Sequence, residues 1–434
     1  MRYAIYTLGC KVNQYETQAL ETELLRRGHT LVPFGDEADA YIINTCTVTA
    51  VSDRKSRNAI RRAKKRNPAA VVAVCGCYAQ TAPEDVAALG VDLVSGTGDR
   101  LGFLSEVERL SGLVRAEAAL APEMLVDNIM THRSFEQLPA GGLEGRTRAM
   151  LKVEDGCVNF CTYCIIPYAR GPVRSLPLPA AVAQAEKLAR DGYREIVLTG
   201  IEISSWGHEF RDGTGLIDLV EGVCRAAPEL RVRLGSLEPR TITEDFCRRA
   251  AALPNLCPHF HLSMQSGCDG VLKRMNRKYD TARYYESVTL LRGFFDRPAI
   301  TTDLIVGFPG ETEEEFTATL EFVEKCAFSA MHIFPYSRRT GTPAAKMADQ
   351  VPNAVKEERA ARAGALAARL KASYLEQWVG ASLPVLFEEE KDGLWRGHAP
   401  NYVEVMAHGE ALHNVIRDVN ITELHGDGLF GQVL

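Results

Sequence analysis

The sequence predicts an α/β protein in three parts: an N-terminal domain with a parallel sheet, a central partial barrel of six β/α units and a small C-terminal β-barrel. Short apolar strands alternate with helical segments in two successive series, which is typical of parallel sheets. A stretch rich in Pro and Gly separates the two series and indicates a linker. With 434 residues and about 150 residues per domain, the length allows roughly three domains.

The N-terminal series contains a strongly basic helical segment after its second strand. Strands are predicted at residues 3–8, 40–44, 70–74 and 92–95, and a helix over about 13–28. The alternation of strand and helix predicts a small parallel sheet, because parallel strands need a crossover connection.

The central series supplies the strands of the predicted barrel, in which chemistry belongs at the carboxyl ends of the strands. They are predicted at residues 149–153, 195–199, 231–234, 259–264, 300–306 and 330–334. A helix over about 352–375 leads into a segment rich in Val, Leu and Gly with little helical period, which predicts a β-barrel. The predicted domains are 1–121, 146–373 and 374–434, with a linker at 122–145.

The composition excludes several classes of protein. Apolar residues make up 46% and charged residues 24%, which argues against disorder, collagen and coiled coil. The longest apolar runs, such as 69–75, are far shorter than the roughly 18 residues of a membrane span, and the N-terminus lacks a secretory signal pattern. We therefore expect a cytoplasmic protein with no membrane partner. The net charge of −6 leaves any nucleic-acid affinity to local patches.

The cysteines indicate metal binding. Twelve cysteines in 434 residues are too dilute for a disulfide scaffold, and in a reducing compartment clustered cysteines more often bind metal. Cys157, Cys161 and Cys164 form a C-x3-C-x2-C run directly after the first central strand. Structural zinc sites and ferredoxin clusters use four ligands, so three thiolates fit a 4Fe-4S cluster with one open iron. The alternative is three buried hydrophobic thiols, which the intervening Phe160 and Tyr163 disfavour.

Three further cysteine motifs follow predicted strands of the N-terminal domain. They contain Cys10, Cys46 and the pair Cys75 and Cys77. The carboxyl ends of parallel strands share one edge, so these thiols can converge into a second metal site. Taken singly, each is more often a buried core cysteine. For the cysteines without ligand spacing we expect core packing: Cys224, Cys247, Cys257, Cys268 and Cys326.

Glycines mark the turn that follows the predicted strand at 300–306. Gly307 and Gly310 allow the backbone to approach a planar ligand closely. An ordinary strand-to-helix turn is the alternative interpretation.

The cysteine loop at 157–164 resembles that of the radical S-adenosylmethionine superfamily, and with the N-terminal motifs the chain is similar to its methylthiotransferase family. The resemblance covers nearly the whole chain and includes HLSMQSG at 261–267 and FPYSRRTGTP at 334–343. It implies a radical S-adenosylmethionine barrel, a C-terminal TRAM-like barrel and two 4Fe-4S clusters.

The resemblance also implies roles for particular residues. The open iron of the cluster on Cys157, Cys161 and Cys164 would bind S-adenosylmethionine. Cys10, Cys46 and Cys77 would hold an auxiliary cluster, because Cys77 fits the family motif G-C-x-A-Q, and Cys75 is left to packing. Cofactor contacts are implied for Thr199, Gly200, Glu202, Gly307 and Gly310.

The motifs GCKVNQYE at 9–16 and NTCTVT at 44–49 resemble those of the subgroup that acts on N6-threonylcarbamoyladenosine. The implied activity is methylthiolation at C2 of this adenosine at position 37, next to the anticodon of tRNA. The implied partners are the anticodon stem-loop, a reductant protein and a sulfur donor. Because the modified adenosine carries a carboxylate, its pocket needs a cation, for which Arg338 and Arg339 are candidates.

Two rivals stay open on the sequence. One keeps the chemistry and changes the target to an isopentenylated tRNA adenosine or a ribosomal protein. The other is a non-catalytic iron-sulfur protein that binds RNA. The elements at 199–202 and 307–310, which resemble a cofactor pocket, disfavour it because a protein that only binds RNA has no need of such a pocket.

A basic helix is the predicted RNA contact. Residues 54–66 hold eight basic side chains and no acid, and Ala59, Ile60 and Ala63 share a narrow apolar sector. The eight are Arg54, Lys55, Arg57, Arg61, Arg62, Lys64, Lys65 and Arg66. Phosphate contact is favoured over a solvated face, because unbalanced positive charge is unusual in an acidic chain. The segment 374–434 has a net charge of −7, unlike a typical RNA-binding barrel.

Overall fold

The computed structural model describes residues 1–112, 121–141 and 145–434. The chain forms two compact units, which are discontinuous along the sequence, unlike the consecutive domains that the sequence predicts. The first unit comprises Met1–Leu143, Lys152–Leu176 and Ser337–Ala345, and the second comprises Glu144–Leu151, Pro177–Tyr336 and Lys346–Leu434. Residues 113–120 of the predicted first domain and 142–144 of the predicted linker lie outside the described residues.

The first unit contains a six-stranded sheet in which every pair of neighbours is parallel, as predicted. Its order is β2-β1-β3-β4-β5-β6. The strands are β1 (Arg2–Thr7), β2 (Thr30–Leu31), β3 (Ala40–Thr45), β4 (Val71–Gly76), β5 (Leu93–Ser95) and β6 (Glu123–Leu125). The predicted linker at 122–145 did not include β6, because a three-residue edge strand carries no recognisable period.

Helices cover both faces of this sheet, and the apolar side chains of the central strands are buried between them. They are α1 (Lys11–Arg26), α2 (Ala50–Arg66), α3 (Cys77–Thr81), α4 (Pro83–Ala87) and α5 (Arg100–Gly112). α2 begins at Thr49, whose Oγ1 accepts a hydrogen bond from Ser52 N at 3.1 Å. The rest of the first unit includes the two-stranded pair β8 (Glu154–Asp155) and β9 (Arg174–Ser175) and the short helix α6 (Ile166–Arg170).

The second unit contains the six predicted central strands and one further strand of two residues, β12 (Ser236–Leu237). They form two sheets of order β11-β10-β7 and β12-β13-β14-β15. The strands are β7 (Arg148–Lys152), β10 (Glu195–Thr199), β11 (Arg231–Leu234), β12 (Ser236–Leu237), β13 (His259–Leu262), β14 (Ala299–Val306) and β15 (Ala330–Pro335). The helices are α7 (Leu178–Arg190), α8 (Leu216–Ala226), α9 (Glu244–Ala251), α10 (Asp269–Arg274), α11 (Thr281–Phe294), α12 (Glu313–Cys326) and α13 (Asn353–Glu376).

A closed five-stranded barrel follows α13, which confirms the predicted C-terminal β-barrel. Its strands are β16 (Ser382–Lys391), β17 (Leu394–His398), β18 (Glu404–His408), β19 (Val415–His425) and β20 (Gly428–Val433). Its core is built on Phe387, Trp395 and Val405, with Trp378 from the end of the preceding helical segment packed against them. Among the helices that the structure describes, none has the length and apolar character needed to cross a membrane.

Candidate cluster and cofactor site

The structure brings Cys10, Cys46 and Cys77 to the carboxyl ends of three adjacent parallel strands. Cys10 caps α1 three residues after β1, Cys46 directly follows β3, and Cys77 opens α3 after β4. The three thiols interact electrostatically with one another. The three cysteines therefore lie at one edge of the sheet, as the sequence predicts.

A glycine before two of these cysteines makes the turn possible. Gly9 has φ +107°, and a Cβ there would lie 2.8 Å from Cys46 Cβ. Gly76 has φ +98°, and a Cβ there would lie 2.5 Å from Thr45 O. Both positions combine a left-handed backbone with close neighbours, so only glycine fits them.

Polar residues of the same motifs tie the three strand ends together. Asn13 Nδ2 donates to Leu8 O at 2.7 Å and to Thr45 O at 2.9 Å. Asn44 Nδ2 donates to Asn13 O at 3.1 Å, and Thr45 Oγ1 donates to Cys75 O at 2.6 Å. These buried hydrogen bonds fix the positions from which the cysteines project.

Arg170 joins this edge to the segment that carries the other cysteines. Its Nε lies 3.3 Å from Cys77 Sγ, and its Nη2 donates to Asn13 Oδ1 at 2.5 Å. Its Nη1 donates to Glu16, which also accepts from Arg100 at 2.8 Å and from Lys152 at 3.0 Å. All these side chains are buried. The role of Arg170 cannot be predicted from the sequence, because its partners Asn13, Glu16 and Cys77 lie far away in the chain.

The charge of Glu16 holds this network in place. Burial alone would raise the pKa of the Glu16 carboxyl, but Arg100, Arg170 and Lys152 hold it well below its usual range. The carboxylate therefore remains ionised at neutral pH and fixes the Arg170 guanidinium against Cys77.

The structure distinguishes Cys75 from Cys77. Cys75 lies within β4, is fully buried and packs in a core cluster with Leu93, Phe103 and Leu104. Cys77 receives the Arg170 contact at the strand end. Burial raises the pKa of the Cys77 thiol to about 12 despite Arg170. A metal that bound this sulfur would therefore displace its proton.

The loop at 157–164 presents three cysteines within 8 residues of sequence. Cys157 N donates to Gly171 O at 3.0 Å and Cys164 N donates to Cys161 O at 2.9 Å, which curls the loop. Cys161 is buried, whereas Cys157 and Cys164 are partly exposed. The exposed Phe160 ring lies 5.7 Å from the Tyr168 ring in an edge-to-face contact.

The donor sets fit iron-sulfur clusters. Within residues 1–112, 121–141 and 145–434, no three His, Cys, Asp or Glu side chains are grouped as they would be round a single metal ion. In a 4Fe-4S cluster each thiolate binds its own iron, so the sulfurs stand further apart. Three thiols on one sheet edge, one of them in contact with a buried guanidinium, suit an anionic cluster.

In the second unit, Thr199 is the last residue of β10, and Gly200 and Glu202 follow it. Thr199 is buried, and Glu202 accepts hydrogen bonds from Ser204 N at 3.1 Å and from Ser205 Oγ at 2.8 Å. Burial raises the pKa of Glu202. Its carboxyl group therefore caps the short helix at Ile203–Ser205 and shapes the backbone that follows β10.

The glycine turn after β14 is held by side chains of α13 and of its own loop. Gly307 has φ +71°, donates to Glu311 Oε2 at 2.6 Å, and a Cβ there would clash with Lys356 Cγ. Gly310 also has a positive φ of +73°, and its Cβ would have open space except for Arg274 Nε at 3.8 Å. The close approach at Gly307 is thus made by Lys356, and the open side of the turn is at Gly310.

A polar face on the central strands was missed by the sequence analysis. His261 Nδ1 lies 3.0 Å from Thr301 Oγ1, and His261 Nε2 lies 3.4 Å from Asp303 Oδ2. On the neighbouring strand, His332 and Phe334 are exposed. Polar residues at every second position of otherwise apolar strands were the signal that could have revealed this face.

The basic helix α2 presents its charges outward, as predicted. Ser56, Ala59, Ile60 and Ala63 are buried, and the basic residues lie on the exposed or partly exposed arc. In the part of the chain that the structure describes, none of the eight basic side chains forms an ion pair with an acid. This charge is therefore available to an external anion.

The two arginines considered for a substrate carboxylate differ in their surroundings. Arg339 is buried and binds Asp53 Oδ2 at 2.5 Å and the Thr47 hydroxyl. It anchors the segment after Cys46. Arg339 is therefore not suited to bind a substrate carboxylate, because Asp53 already neutralises its charge. Arg338 is exposed, and its Nε donates to Ala345 O at 2.8 Å.

Known families match both halves of the chain. An uncharacterized protein family, UPF0004, matches residues 2–96, and the radical SAM superfamily matches residues 151–323. Among solved structures, the radical S-adenosylmethionine methyltransferase TsrM from Kitasatospora setae, with cobalamin and a [4Fe-4S] cluster bound, aligns with a TM-score of 0.56 over 91% of this chain and 77% of that chain, at 16% identity. The fold is therefore that of a radical S-adenosylmethionine protein.

Curated relatives narrow the class. The threonylcarbamoyladenosine tRNA methylthiotransferase MtaB of Bacillus subtilis is 42% identical over 94% of this chain and 90% of its own length, and that of Aquifex aeolicus is 37% identical over 94% and 97%. The tRNA-2-methylthio-N(6)-dimethylallyladenosine synthase of Bacillus subtilis is 35% identical over 90% and 76%. The chain belongs to the radical S-adenosylmethionine tRNA methylthiotransferase family, in its MtaB-type group. Enzymes of this family use S-adenosylmethionine and carry two 4Fe-4S clusters.

Proposed function

We propose that this enzyme methylthiolates C2 of N6-threonylcarbamoyladenosine at position 37, next to the anticodon of tRNA. The observation that carries the proposal is the convergence of Cys10, Cys46 and Cys77 at one edge of the N-terminal sheet, where Arg170 Nε lies 3.3 Å from Cys77 Sγ. A set of three thiols in addition to Cys157, Cys161 and Cys164 supports a second cluster, as insertion of a methylthio group at a second cluster requires. The greater identity to the threonylcarbamoyl relatives supports the substrate.

Each cysteine set has its own task in this proposal. Cys157, Cys161 and Cys164 bind the cluster that works with S-adenosylmethionine, and the N-terminal set binds the auxiliary cluster. When bound, these groups supply the radical and the methylthio group. The chain's own contribution is to hold the ligands, exclude water and orient the adenosine.

The second unit supplies the surroundings of cofactor and nucleotide. Thr199, Gly200 and Glu202 are proposed to line the methionine part of the cofactor, and the Gly307–Gly310 turn is proposed to line its adenine. The adenine contact is assigned to Gly310, because Lys356 already packs against Gly307. The face formed by His261, Asp303 and His332 offers polar groups to a nucleotide.

Arg338 is the proposed reader of the threonylcarbamoyl carboxylate. Its guanidinium is exposed, whereas Arg339 is committed to Asp53. A guanidinium binds a carboxylate through two parallel hydrogen bonds. The other proposed partners are the anticodon stem-loop, a reductant protein and a sulfur donor. In this proposal the basic side chains of α2 contact the RNA backbone and the C-terminal barrel is of TRAM type. The proposed site of action is the cytoplasm, where tRNA is modified.

The test is turnover by the reconstituted enzyme on two purified tRNAs, one carrying threonylcarbamoyladenosine and one isopentenyladenosine. Nucleoside mass spectrometry should show the methylthio product on the first tRNA alone. Arg338→Gln should lower kcat/KM on that tRNA by about tenfold or more, because one charge-assisted contact is lost, while Arg338→Lys should retain an intermediate rate. Efficient turnover of the isopentenylated tRNA with none of the threonylcarbamoylated tRNA would overturn the substrate assignment.

A further inference from the structure

A cavity of about 590 Å³ lies beside the carboxyl-terminal half of α2 in the first unit. It is lined by Tyr6, Phe34, Gly35, Arg62, Lys65 and Arg66. Two aromatic rings and three cations therefore face one space, and the described residues that line it include no acid.

The geometry of the cavity suits an aromatic ring with an attached phosphate. The Tyr6 and Phe34 ring centroids are 4.8 Å apart, and the Arg62 guanidinium carbon lies 5.1 Å from the first and 5.8 Å from the second. Both rings are partly exposed, and Arg62, Lys65 and Arg66 are exposed without an acidic partner among the described residues. Aromatic rings and guanidinium planes stack on nucleobases, and the lysine and arginine charges bind phosphate.

The cavity is separate from the cysteine edge. The lining residue Tyr6 lies four residues before Cys10, at most about 14 Å of extended chain. Lys65 and Arg66 lie 16 and 17 residues after Thr49, the N-terminal cap of α2, which is about 25 Å along the helix at about 1.5 Å per residue. A nucleotide whose phosphate pairs with Lys65 and Arg66 is therefore a different nucleotide from the one whose base reacts near the clusters.

We propose that this cavity binds one unpaired nucleotide of the substrate RNA, by stacking its base against Tyr6, Phe34 and Arg62 and pairing its phosphate with Lys65 and Arg66. The proposal rests on the proposed function insofar as the RNA is a tRNA. It goes further than phosphate contact by α2, because a stacked base makes binding depend on the presence of that base as well as on salt.

The test measures binding of a synthetic anticodon stem-loop RNA to the full-length reconstituted enzyme by fluorescence anisotropy. A series of RNAs carries a single abasic site at each loop nucleotide other than the reacting adenosine. With the unchanged protein, one abasic site should weaken binding about tenfold or more, the loss expected for one stacked base.

Variants locate the effect. Gly35→Glu should remove the sensitivity to that abasic site, because the new carboxylate would pair with the cations that line the cavity. A Cβ at Gly35 meets open space, so the fold should tolerate this change. Gly364→Glu on α13, where a Cβ also meets open space, adds the same charge elsewhere and should behave like the unchanged protein. Arg62→Gln, Lys65→Gln and Arg66→Gln together should act like Gly35→Glu, whereas Arg54→Gln, Lys55→Gln and Arg61→Gln together should weaken binding yet keep the sensitivity.

Two results would overturn the proposal. One is an equal response of the unchanged protein and Gly35→Glu to every abasic site. The other is binding of AMP that depends on Gly35 while all abasic RNAs bind like the intact RNA, which would make the cavity a site for free nucleotides. The assay involves no turnover, so its outcome is independent of whether the enzyme methylthiolates threonylcarbamoyladenosine.

Discussion

Arg170 is the side chain on which the polar contacts of the first unit converge. It is fully buried and contacts Cys77, Asn13 and Glu16, which come from two different cysteine motifs and from α1. A buried guanidinium with this many partners fixes both the thiol and the loops around it, because removing one member leaves the others uncompensated.

Arg170→Gln should empty the auxiliary cluster site. Loss of a residue that supports a metal ligand usually lowers metal affinity 10- to 100-fold, so iron per chain should fall to about half while the 157–164 set keeps its metal. Iron content and the electron paramagnetic resonance signal of the reduced protein measure this. Arg170→Lys should retain part of the iron, and Arg109→Gln on the surface of α5 is the matched control. Full iron in a folded Arg170→Gln protein would contradict the role.

The meeting of Cys10, Cys46 and Cys77 at one sheet edge could be predicted from the sequence, but the contacts of Arg170 and Arg339 could not. Spacing within 157–164 is a local signal, and strand ends that share an edge explain how three distant motifs meet. By contrast, Arg170 is 93 residues from Cys77 and Arg339 is 286 residues from Asp53, and nothing near either arginine marks such a partner. Arg339 therefore read as an available cation although its charge is already paired.

At the scale of the elements, α2 separates two surfaces. Its buried face packs on the sheet with small side chains, and its outer face carries eight cations without an acidic partner in the described residues. The cap at Thr49 and the small buried residues explain why this highly charged segment is nevertheless a regular helix.

Replacing Arg54, Lys55 and Arg61 with Gln should flatten the salt dependence of RNA binding. At about 0.7–0.9 per phosphate contact, the slope of log affinity against log salt should fall in magnitude by about 2. The three side chains are exposed, so the fold should be unaffected. A titration from low to high salt checks this, and an unchanged slope would mean that this part of α2 is only a solvated face.

Most strands were predictable, and the exceptions share a physical reason. Apolar runs of four to eight residues bounded by turns marked β1, β3, β4, β5 and the six central strands. The unpredicted strands β2, β6, β8, β9 and β12 have two or three residues each, too few to show a period, and they are extended only because a neighbouring strand supplies hydrogen bonds. Tertiary context, rather than local sequence, makes them strands.

At the scale of the whole molecule, both cysteine sets belong to the first unit. The sequence placed 157–164 in the central domain, but Lys152, Asp155 and Arg170 pair with Glu16 or with one another and bind this segment to the N-terminal sheet. Shared supports do not mean shared ligands, so the two sets can still be separated by mutation.

Replacing Cys157, Cys161 and Cys164 with Ala should abolish formation of 5′-deoxyadenosine from S-adenosylmethionine. Replacing Cys10, Cys46 and Cys77 should halve the iron content, leave 5′-deoxyadenosine detectable and remove the methylthio product. Chromatography of both products checks this. Cys75→Ala is the control, expected to keep iron and product because that thiol lies in the apolar core. Full iron in the Cys10, Cys46, Cys77 variant would defeat the two-cluster interpretation.

Glu388 should make the stability of the second unit sensitive to acid. Burial would raise its pKa, but the His398 hydrogen bond and the Arg148 charge outweigh burial and hold it at about 2. A depressed carboxyl pKa stabilises the fold above the ordinary value of about 4.3, and this contribution is lost as the pH falls from there towards 2.

Glu388→Gln should therefore lower the free energy of unfolding by about 1–2 kcal/mol at neutral pH, a value reduced for solvent screening of a partly exposed pair. The difference from the unchanged protein should shrink as the pH falls from about 4.3 towards 2. Urea unfolding at several pH values measures it. A difference that stays constant across this range would show that the ion pairs of Glu388 contribute nothing.

The discontinuity of the first unit also has a consequence for the order in which the newly made protein can mature. Arg339, which secures Asp53 beside the Cys46 loop, leaves the ribosome about 200 residues after Leu143, on the order of 10–40 s later at about 5–20 residues per second. During that interval the nascent N-terminal sheet already exposes Cys10, Cys46 and Cys77 but lacks Arg339. Iron-sulfur loading of a properly braced auxiliary site is therefore a late event, which follows translation of most of the chain.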